Sequence, residues 1–452
     1  MAETLAPAEP FDAESPWTAL KGVSSVRVAP HRGPLTGAIT VPGSKSVSNR
    51  ALILAAMAEG ETRLSGLLRS DDIFWCGWSL QQLGAGISFD GTEAQVTGIG
   101  RKRPDAARLH VGSAGTVARF LPPFLLAGDQ GRFEVTASAQ MSKRPVGPLF
   151  DALKAGGGEI DFLGAPNCYP AVFHGGSFRG GEISISGNVS SQFISGILLG
   201  AAQSESGLKL NVTGGIVQSD YVRITLDTMA HFGVGVAFDD EMTRFEVAPQ
   251  TYRGKDLVVE ADASTATYFS ALAVATGGDI VLSNIGEYTR QPDYAFHAIL
   301  ELMGANVTRG ATSTRVQMSG PIRGGFEMDM RPLSDASLTL AALAPFADAP
   351  ITITNVAHIR HHESDRIAAM CQSLTKVGIT VEEREDGMTI FPGKPRFAVL
   401  DTFEDHRMAM ALAVLGVAGD GVELKEPGCV SKTCPTFFDE LGKLGISTDM
   451  LV

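Results

Sequence analysis

Charged residues are scarce in this sequence, 19% of 452 positions, and they lean acidic, with a formal net charge of -13. A nucleic-acid partner demands a cationic footprint that displaces counterions from phosphates, so that class is excluded, and anionic membranes are disfavoured on the same ground. No apolar run approaches the roughly 20 residues of a membrane span. The N-terminus is acidic and rich in Ala and Pro, without the basic and apolar regions of a secretion signal. The five cysteines, Cys76, Cys168, Cys371, Cys429 and Cys434, are odd in number and scattered, which argues against a disulfide framework and predicts a reducing, cytoplasmic location. Cys429 and Cys434 lack a second ligand pair at zinc spacing, so no metal is expected there.

An apolar share of 44% and 51 glycines fit tightly packed α/β units with many short turns. The length exceeds what one core usually supports, so two domains are expected. A helical ending of the type Leu-x-x-Leu-Gly occurs six times, each followed by a return to strand-like sequence. Its glycines are Gly84, Gly157, Gly233, Gly304, Gly378 and Gly445, at intervals of 73, 76, 71, 74 and 67. Such regularity indicates six similar modules, three to each half. Glycine suits these points because a helix commonly ends at positive φ, which strains a residue with a Cβ. Residues 182–185, 257–260 and 351–355 read as strands, and 51–58 and 367–374 as helices. The halves divide near 253–260, where Asp262 is the N-cap candidate of a new helix. Residues 1–23 read as a flexible N-terminal tail.

Several small-residue or polar segments open helices beside a cation. Pro42-Gly43-Ser44-Lys45-Ser46-Val47-Ser48-Asn49-Arg50 leads into an apolar helix, where free N–H groups and the helix dipole favour an anion. It lacks the glycine spacing of a Walker loop, and by itself it also reads as an ordinary capped helix. Gly112-Ser113-Ala114-Gly115-Thr116-Val117-Ala118-Arg119 allows close backbone approach to a ligand. Met141-Ser142-Lys143-Arg144-Pro145 adds a cation, and Ser190-Ser191-Gln192 adds neutral donors. Arg360-His361-His362-Glu363-Ser364-Asp365-Arg366 mixes acids, histidines and arginines without a packing rationale. A metal held by His358, His361, His362 and Glu363 is the weaker reading, because adjacent residues rarely converge on one ion. Proton transfer with anion clamping is the better account. Asp405-His406-Arg407-Met408 and Ser431-Lys432-Thr433 complete the set. In so acidic a chain, anionic substrates must be drawn by a local cluster of these cations.

Together these segments resemble the 5-enolpyruvylshikimate-3-phosphate synthase family, the 3-phosphoshikimate 1-carboxyvinyltransferases. The resemblance runs from about Pro42 to Pro435, through Pro-Gly-Ser-Lys-Ser with Asn49-Arg50, Ser190-Ser191-Gln192-Phe193, Asp262-Ala263-Ser264, Glu363-Ser364-Asp365-Arg366, Asp405-His406-Arg407-Met408-Ala409 and Lys432-Thr433. It implies an α/β (α+β) fold of two domains, each of three βαβαββ modules, the enolpyruvyl transferase fold or inside-out α/β barrel. Residues 44–259 would form the shikimate-phosphate-binding domain and 24–43 with 260–452 the second, with hinges near 43 and 260 and a cleft that closes on substrate. The implied reaction transfers the enolpyruvyl group of phosphoenolpyruvate to the 5-hydroxyl of shikimate 3-phosphate by addition and elimination, in aromatic amino acid biosynthesis. No metal or organic cofactor is implied, and a cytoplasmic monomer is expected.

By matching position, Lys45, Ser46, Arg50, Ser190, Ser191, Gln192, Tyr221 and Asp335 are expected to hold shikimate 3-phosphate, with His358 and His362 in the same group. Lys45, Gly115, Arg119, Arg144, Gln192, Arg366, Arg407 and Lys432 are expected around phosphoenolpyruvate. Glu363 is the expected acid and later base, Asp335 orients or deprotonates the attacking hydroxyl, and Lys45 assists at the bridging oxygen.

This chain departs from the commonest family pattern at Ser113, where Asn is usual, at Phe120, where Pro often follows the arginine, and at His358 and His362, where Asn and Lys are frequent. A histidine whose charge changes near neutrality predicts affinity that falls as pH rises. Gly115 is retained, which keeps open the space that accepts the herbicide glyphosate. Phe120 is expected to tilt the helix carrying Thr116 and Arg119 and to weaken glyphosate more than substrate. The related transferase acting on UDP-N-acetylglucosamine is a poor match, since it uses a Lys-Asn pair and commonly a loop Cys, whereas Ser46 follows Lys45 and no Cys lies between Cys76 and Cys168. A non-catalytic anion-binding paralogue should lack a proton-transfer residue, and both Asp335 and Glu363 are present.

Overall fold

Each of the six repeat glycines adopts a positive φ, between 85° and 106°. At five of them a helix stops and two antiparallel strands follow, whereas Gly445 is followed by the single strand Thr448–Leu451, which pairs antiparallel with Ser25–Val28. The helix Gly147–Ala155, for example, gives way across Gly157 to the strands Glu159–Phe162 and Ala171–Gly175. The computed structural model describes residues 1–452 except positions 1, 2, 4, 8 and 145.

The described residues form six four-stranded sheets of one design. In the second module Ala106–His110 runs parallel to Gly131–Thr136, which pairs antiparallel with Ala171–Gly175, and Glu159–Phe162 lies at the edge. Parallel neighbours require a crossover, here the helix Val117–Ala127. Exposed and buried side chains alternate along strands such as Glu61–Ser65 and Glu93–Thr97, as in sheets with one wet face. The crossover helices are the reverse: every residue of Val117–Ala127 is buried, as is nearly all of Ala263–Thr276 and His406–Ala418. Helices apolar on all sides belong inside, so helices form the interior and sheets the outer layer, the inside-out α/β arrangement.

The chain divides into two compact units, residues 1–17 with 43–259 and residues 18–42 with 260–452. Each completes its modules by borrowing strands from elsewhere in the sequence. In the first, Leu257–Val258 lies parallel to Glu61–Ser65. In the second, Thr36–Ile39 runs parallel to Asp279–Leu282, and Ser25–Val28 inserts between Val422–Lys425 and Thr448–Leu451.

The expectation of a flexible tail over residues 1–23 falls in part on positions 1, 2, 4 and 8, which lie outside the described residues; the described part makes specific contacts. Leu5 and Trp17 are buried. The Glu3 N–H donates to the Phe89 carbonyl (2.9 Å), Ser15 Oγ donates to Asp71 Oδ1 (2.6 Å), and the Arg69 guanidinium lies 4.2 Å over the Trp17 ring. Within the second unit the Ala19 N–H donates to Ser431 Oγ (2.7 Å). An acidic composition rich in Pro and Ala resembles a tail, but Leu5, Phe11 and Trp17 give it apolar anchors.

Candidate active site

In the first unit the functional segments sit on the opening turns of the interior helices. Ser44 caps Lys45–Met57 by accepting from the Val47 N–H (3.4 Å), and Ser190 caps Ser191–Ala201 by accepting from the Gln192 N–H (3.2 Å). Lys45 and Ser46, both half-buried, therefore ride on the first turn of one helix, and Ser191 and Gln192 on that of another. Half-buried Tyr221 opens the helix Asp220–His231.

Arg50 ties these helices together. Its Nε donates to Thr225 Oγ1 (2.7 Å), Nη1 to the Ser46 carbonyl (2.8 Å), and Nη2 to Ser195 Oγ (3.3 Å) and the Tyr221 carbonyl (3.1 Å). The Phe120 ring lies beneath the guanidinium, 4.8 Å from centroid to Cζ. Only 1% of Arg50 is exposed, so its donors face the protein. Burial lowers its pKa to about 10, with Tyr221 working the other way.

Gly115 lies against two arginines. A Cβ there would meet Arg119 Nη1 at 2.6 Å and Arg144 Nη1 at 2.8 Å, so the absence of a side chain lets both guanidinium groups crowd one stretch of backbone. Arg119 Nη1 donates to the Gly115 carbonyl (2.9 Å) and to Gln192 Oε1 (3.0 Å). Asn49 Nδ2 donates to Thr116 Oγ1 (2.8 Å), linking the helix Lys45–Met57 to the start of Val117–Ala127.

The second unit holds a network centred on Arg366, which is buried at the start of the helix Arg366–Lys376. Its Nε donates to Asp405 Oδ2 (2.8 Å) and Nη2 to Asp405 Oδ1 (3.2 Å). Nη2 also reaches Glu363 Oε2 (2.9 Å), and Nη1 reaches Asp335 Oδ1 (3.1 Å) and His362 Nδ1 (3.0 Å). Asp335 Oδ2 accepts from Arg407 Nη2 (2.9 Å), and Glu363 Oε1 lies 3.0 Å from Lys432 Nζ. Burial opposes the charge of Arg366, but Asp405, Glu363 and Asp335 outweigh it and raise its pKa. Charge-assisted contacts of this density hold side chains in fixed geometry.

The structure thus brings Asp335, His362, Glu363, Arg366, Arg407 and Lys432 into one network, with His358 beside it, its ring 5.7 Å from that of His362. The expected histidine charge switch is corrected. His362 Nδ1 faces a guanidinium donor and must accept, which makes the imidazole neutral, and burial followed by Arg366 holds its pKa well below the ordinary value. His358 is also lowered by burial, with Asp335 acting in the opposite sense.

Three residues of this network were not among the expected site residues. Asp405 caps His406–Ala418, accepting from the Arg407 N–H (2.9 Å), while gripping Arg366. In the sequence it shows only as part of a helix opening beside Arg407. Asp293 is wholly buried, accepts from Ser264 Oγ, and has its pKa raised to about 7 by burial and then by Asp335, against Arg407 and Ser264. Tyr268 is buried beside Arg407; burial pushes its pKa up to about 12, and Arg407 pulls the other way. A strong helix pattern around Tyr268 and a lone acid before Tyr294 give no sequence signal for either.

Compared with known proteins, residues 30–441 match the family described as EPSP synthase (3-phosphoshikimate 1-carboxyvinyltransferase). The chain is similar to the 3-phosphoshikimate 1-carboxyvinyltransferase 2 of Halalkalibacterium halodurans, at 46% identity over 437 residues, 96% of this chain and 98% of the relative. It is 40% identical over 416 residues to the 3-phosphoshikimate 1-carboxyvinyltransferase of Photobacterium profundum, covering 91% of this chain and 96% of that one. Among solved structures, EPSP synthase from Acinetobacter baumannii aligns with a TM-score of 0.79 at 26% identity, over 94% of this chain and 100% of the other.

Proposed function

The chain belongs to the family of EPSP synthases, the 3-phosphoshikimate 1-carboxyvinyltransferases, and from that premise we propose a division of labour among its residues. The reaction moves the carboxyvinyl group of phosphoenolpyruvate onto the 5-hydroxyl of shikimate 3-phosphate and releases phosphate, a step toward chorismate and the aromatic amino acids.

Shikimate 3-phosphate is held by Lys45, Ser46, Ser190, Ser191, Gln192, Tyr221, Asp335, His358 and His362. Arg50 serves this group from behind, since its donors fix the Ser46 and Tyr221 backbone. Phosphoenolpyruvate is held by Lys45, Arg119, Arg144, Gln192, Arg366, Arg407 and Lys432, with Gly115 leaving room. Planar guanidinium groups suit both carboxylate and phosphate because they donate parallel hydrogen bonds.

The observation that carries the mechanism is the placement of Glu363, whose two oxygens face Lys432 and Arg366. Addition requires a proton at the methylene carbon of phosphoenolpyruvate while the 5-hydroxyl bonds to the neighbouring carbon and loses its own proton. Elimination then removes a proton from the new methyl group as the carbon–oxygen bond to phosphate breaks. Glu363 gives the first proton and takes the last. Asp335, fixed by Arg366 and Arg407, orients or deprotonates the hydroxyl, and Lys45 assists at the bridging oxygen. Positioned proton transfer supplies roughly two to four powers of ten in rate, and electrostatic stabilisation by the arginines supplies much of the remainder.

The protein acts in the cytoplasm as a monomer. Five free thiols suit a reducing compartment, and among the described residues no helix is long and apolar enough to cross a membrane. The deciding assay is phosphate release with both substrates against each alone. Release only with the pair is expected, and none with the pair refutes the reading.

A further inference from the structure

We propose that residues 9–17 form a strap that holds Trp75 against Gly112 and so sets the 112–119 loop for phosphoenolpyruvate, which makes Trp75 a positioning residue. The family match begins at residue 30, so the strap lies outside the matched region. The proposal rests on the assignment of Gly115 and Arg119 to phosphoenolpyruvate.

Trp75, 1% exposed, sits on the helix Asp71–Gln82. Its Nε1–H donates to the Ala13 carbonyl (3.1 Å). Phe11 packs edge-on against it at 5.6 Å and against Trp78 at 4.9 Å. Ser15 anchors the strap to the same helix through Asp71 (2.6 Å), and Trp17 closes it against Phe74 (5.3 Å) and Phe89 (5.1 Å). A second anchor is His110, the last residue of the strand Ala106–His110. Its Nε2 lies 2.9 Å from the Asp12 carbonyl, which only accepts, so the proton is on Nε2. The His110 and Trp75 rings meet edge to face at 4.6 Å.

The indole in turn lies on Gly112. A Cβ there would stand 2.4 Å from Trp75 Cδ1, and φ is +53°. Gly112 lies two residues beyond the end of the strand Ala106–His110, where the loop begins. The Gly112 carbonyl also accepts from the Ser138 N–H (3.0 Å), ahead of the segment carrying Arg144. The height at which the indole rests therefore fixes the backbone that leads, three residues later, to Gly115 and then to Arg119. Removing the strap frees the indole and lets this loop relax, while the Ser46 and Tyr221 contacts of Arg50 do not depend on it.

The test uses the full chain with Trp75→Phe, which keeps a ring but deletes the donor, and Phe11→Ala, which keeps the donor but loosens the strap. Phosphate release is measured with each substrate varied in turn, alongside the melting temperature. Loss of one neutral hydrogen bond or its equivalent predicts a rise in KM for phosphoenolpyruvate of about fivefold in each variant, with a clearly smaller change in KM for shikimate 3-phosphate. A lowered melting temperature with unchanged KM for phosphoenolpyruvate overturns the positioning role, as does an equal rise for both substrates. Arg119→Lys separates the premise from the proposal. If it raises KM for phosphoenolpyruvate while both strap variants do not, the site assignment stands and the strap fails. If it leaves that KM unchanged, the assignment fails.

Discussion

Lys432 Nζ lies 3.0 Å from Glu363 Oε1, with 10% and 9% of the two side chains exposed. Glu363 belongs to the fifth module and Lys432 to the sixth, so the pair depends on both modules being in place. Around it each cation has a carboxylate: Lys432 and Arg366 share Glu363, Arg366 and Arg407 share Asp335, and Asp405 grips Arg366. On the proposed mechanism, an anionic substrate entering such a network loosens existing contacts and so releases Glu363 to carry a proton.

Asp405→Asn removes one member of a buried pair and leaves Arg366 without its bidentate partner. It should destabilise the fold by about 3–5 kcal/mol, the usual effect of breaking a buried ion pair, read from urea unfolding. A change within experimental scatter would mean the grip on Arg366 contributes little.

Gly115→Ala places a methyl group against Arg119 and Arg144, both of which are flexible at the contacting end. Stability should change little, because those ends can shift, whereas KM for phosphoenolpyruvate should rise severalfold with a smaller effect on kcat. Unchanged kinetics would place the phosphoenolpyruvate group elsewhere.

Four histidines have pKa values lowered mainly by burial: His110, His297 (to about 4), His358 and His362. The unfolded chain binds protons at these sites near pH 6.5 while the folded chain does not, so their contribution to stability is complete above that pH and is lost as pH falls toward about 4. Denaturation midpoints should decline across this window, and His297→Gln should flatten the decline. The affinity for shikimate 3-phosphate, in turn, should show no His362 titration between pH 6.5 and about 8.

Phe120→Leu removes the ring beneath Arg50 and should destabilise the first unit by about 2 kcal/mol or somewhat more, from the lost cation–π contact and ring packing. Phe120→Pro additionally deletes the N–H that donates to the Thr116 carbonyl (2.9 Å). If the bulk of Phe120 weakens glyphosate more than substrate, the proline variant will bind glyphosate more tightly than the parent. Equal inhibition constants would discard the idea.

The glycine spacing made six modules legible because a helix stop at positive φ has one favoured residue, and Asp262 was readable as a cap because its chemistry is local. The strand exchange was not legible in local pattern, and residues 24–43 were assigned to the second half only through the family resemblance. Thr36–Ile39 and Ser25–Val28 are four residues each and carry no pattern that names their distant partners. The packing of the N-terminal segment was missed because Leu5, Phe11 and Trp17 follow no helical or strand period. Asp405 showed its place at a helix opening but not its hold on Arg366, and His358 and His362 showed their ionisable rings but not the burial that keeps them neutral. Local chemistry is written in neighbouring residues, whereas burial and long-range pairing appear only once the modules pack.

The central claim is that Glu363 carries the proton in both directions, and the direct measurement is single-turnover product formation by Glu363→Gln alongside binding of each substrate. Turnover lower by about two to four powers of ten, with both substrates still bound at near-parental affinity, is the predicted result. Near-normal turnover in that variant would contradict it.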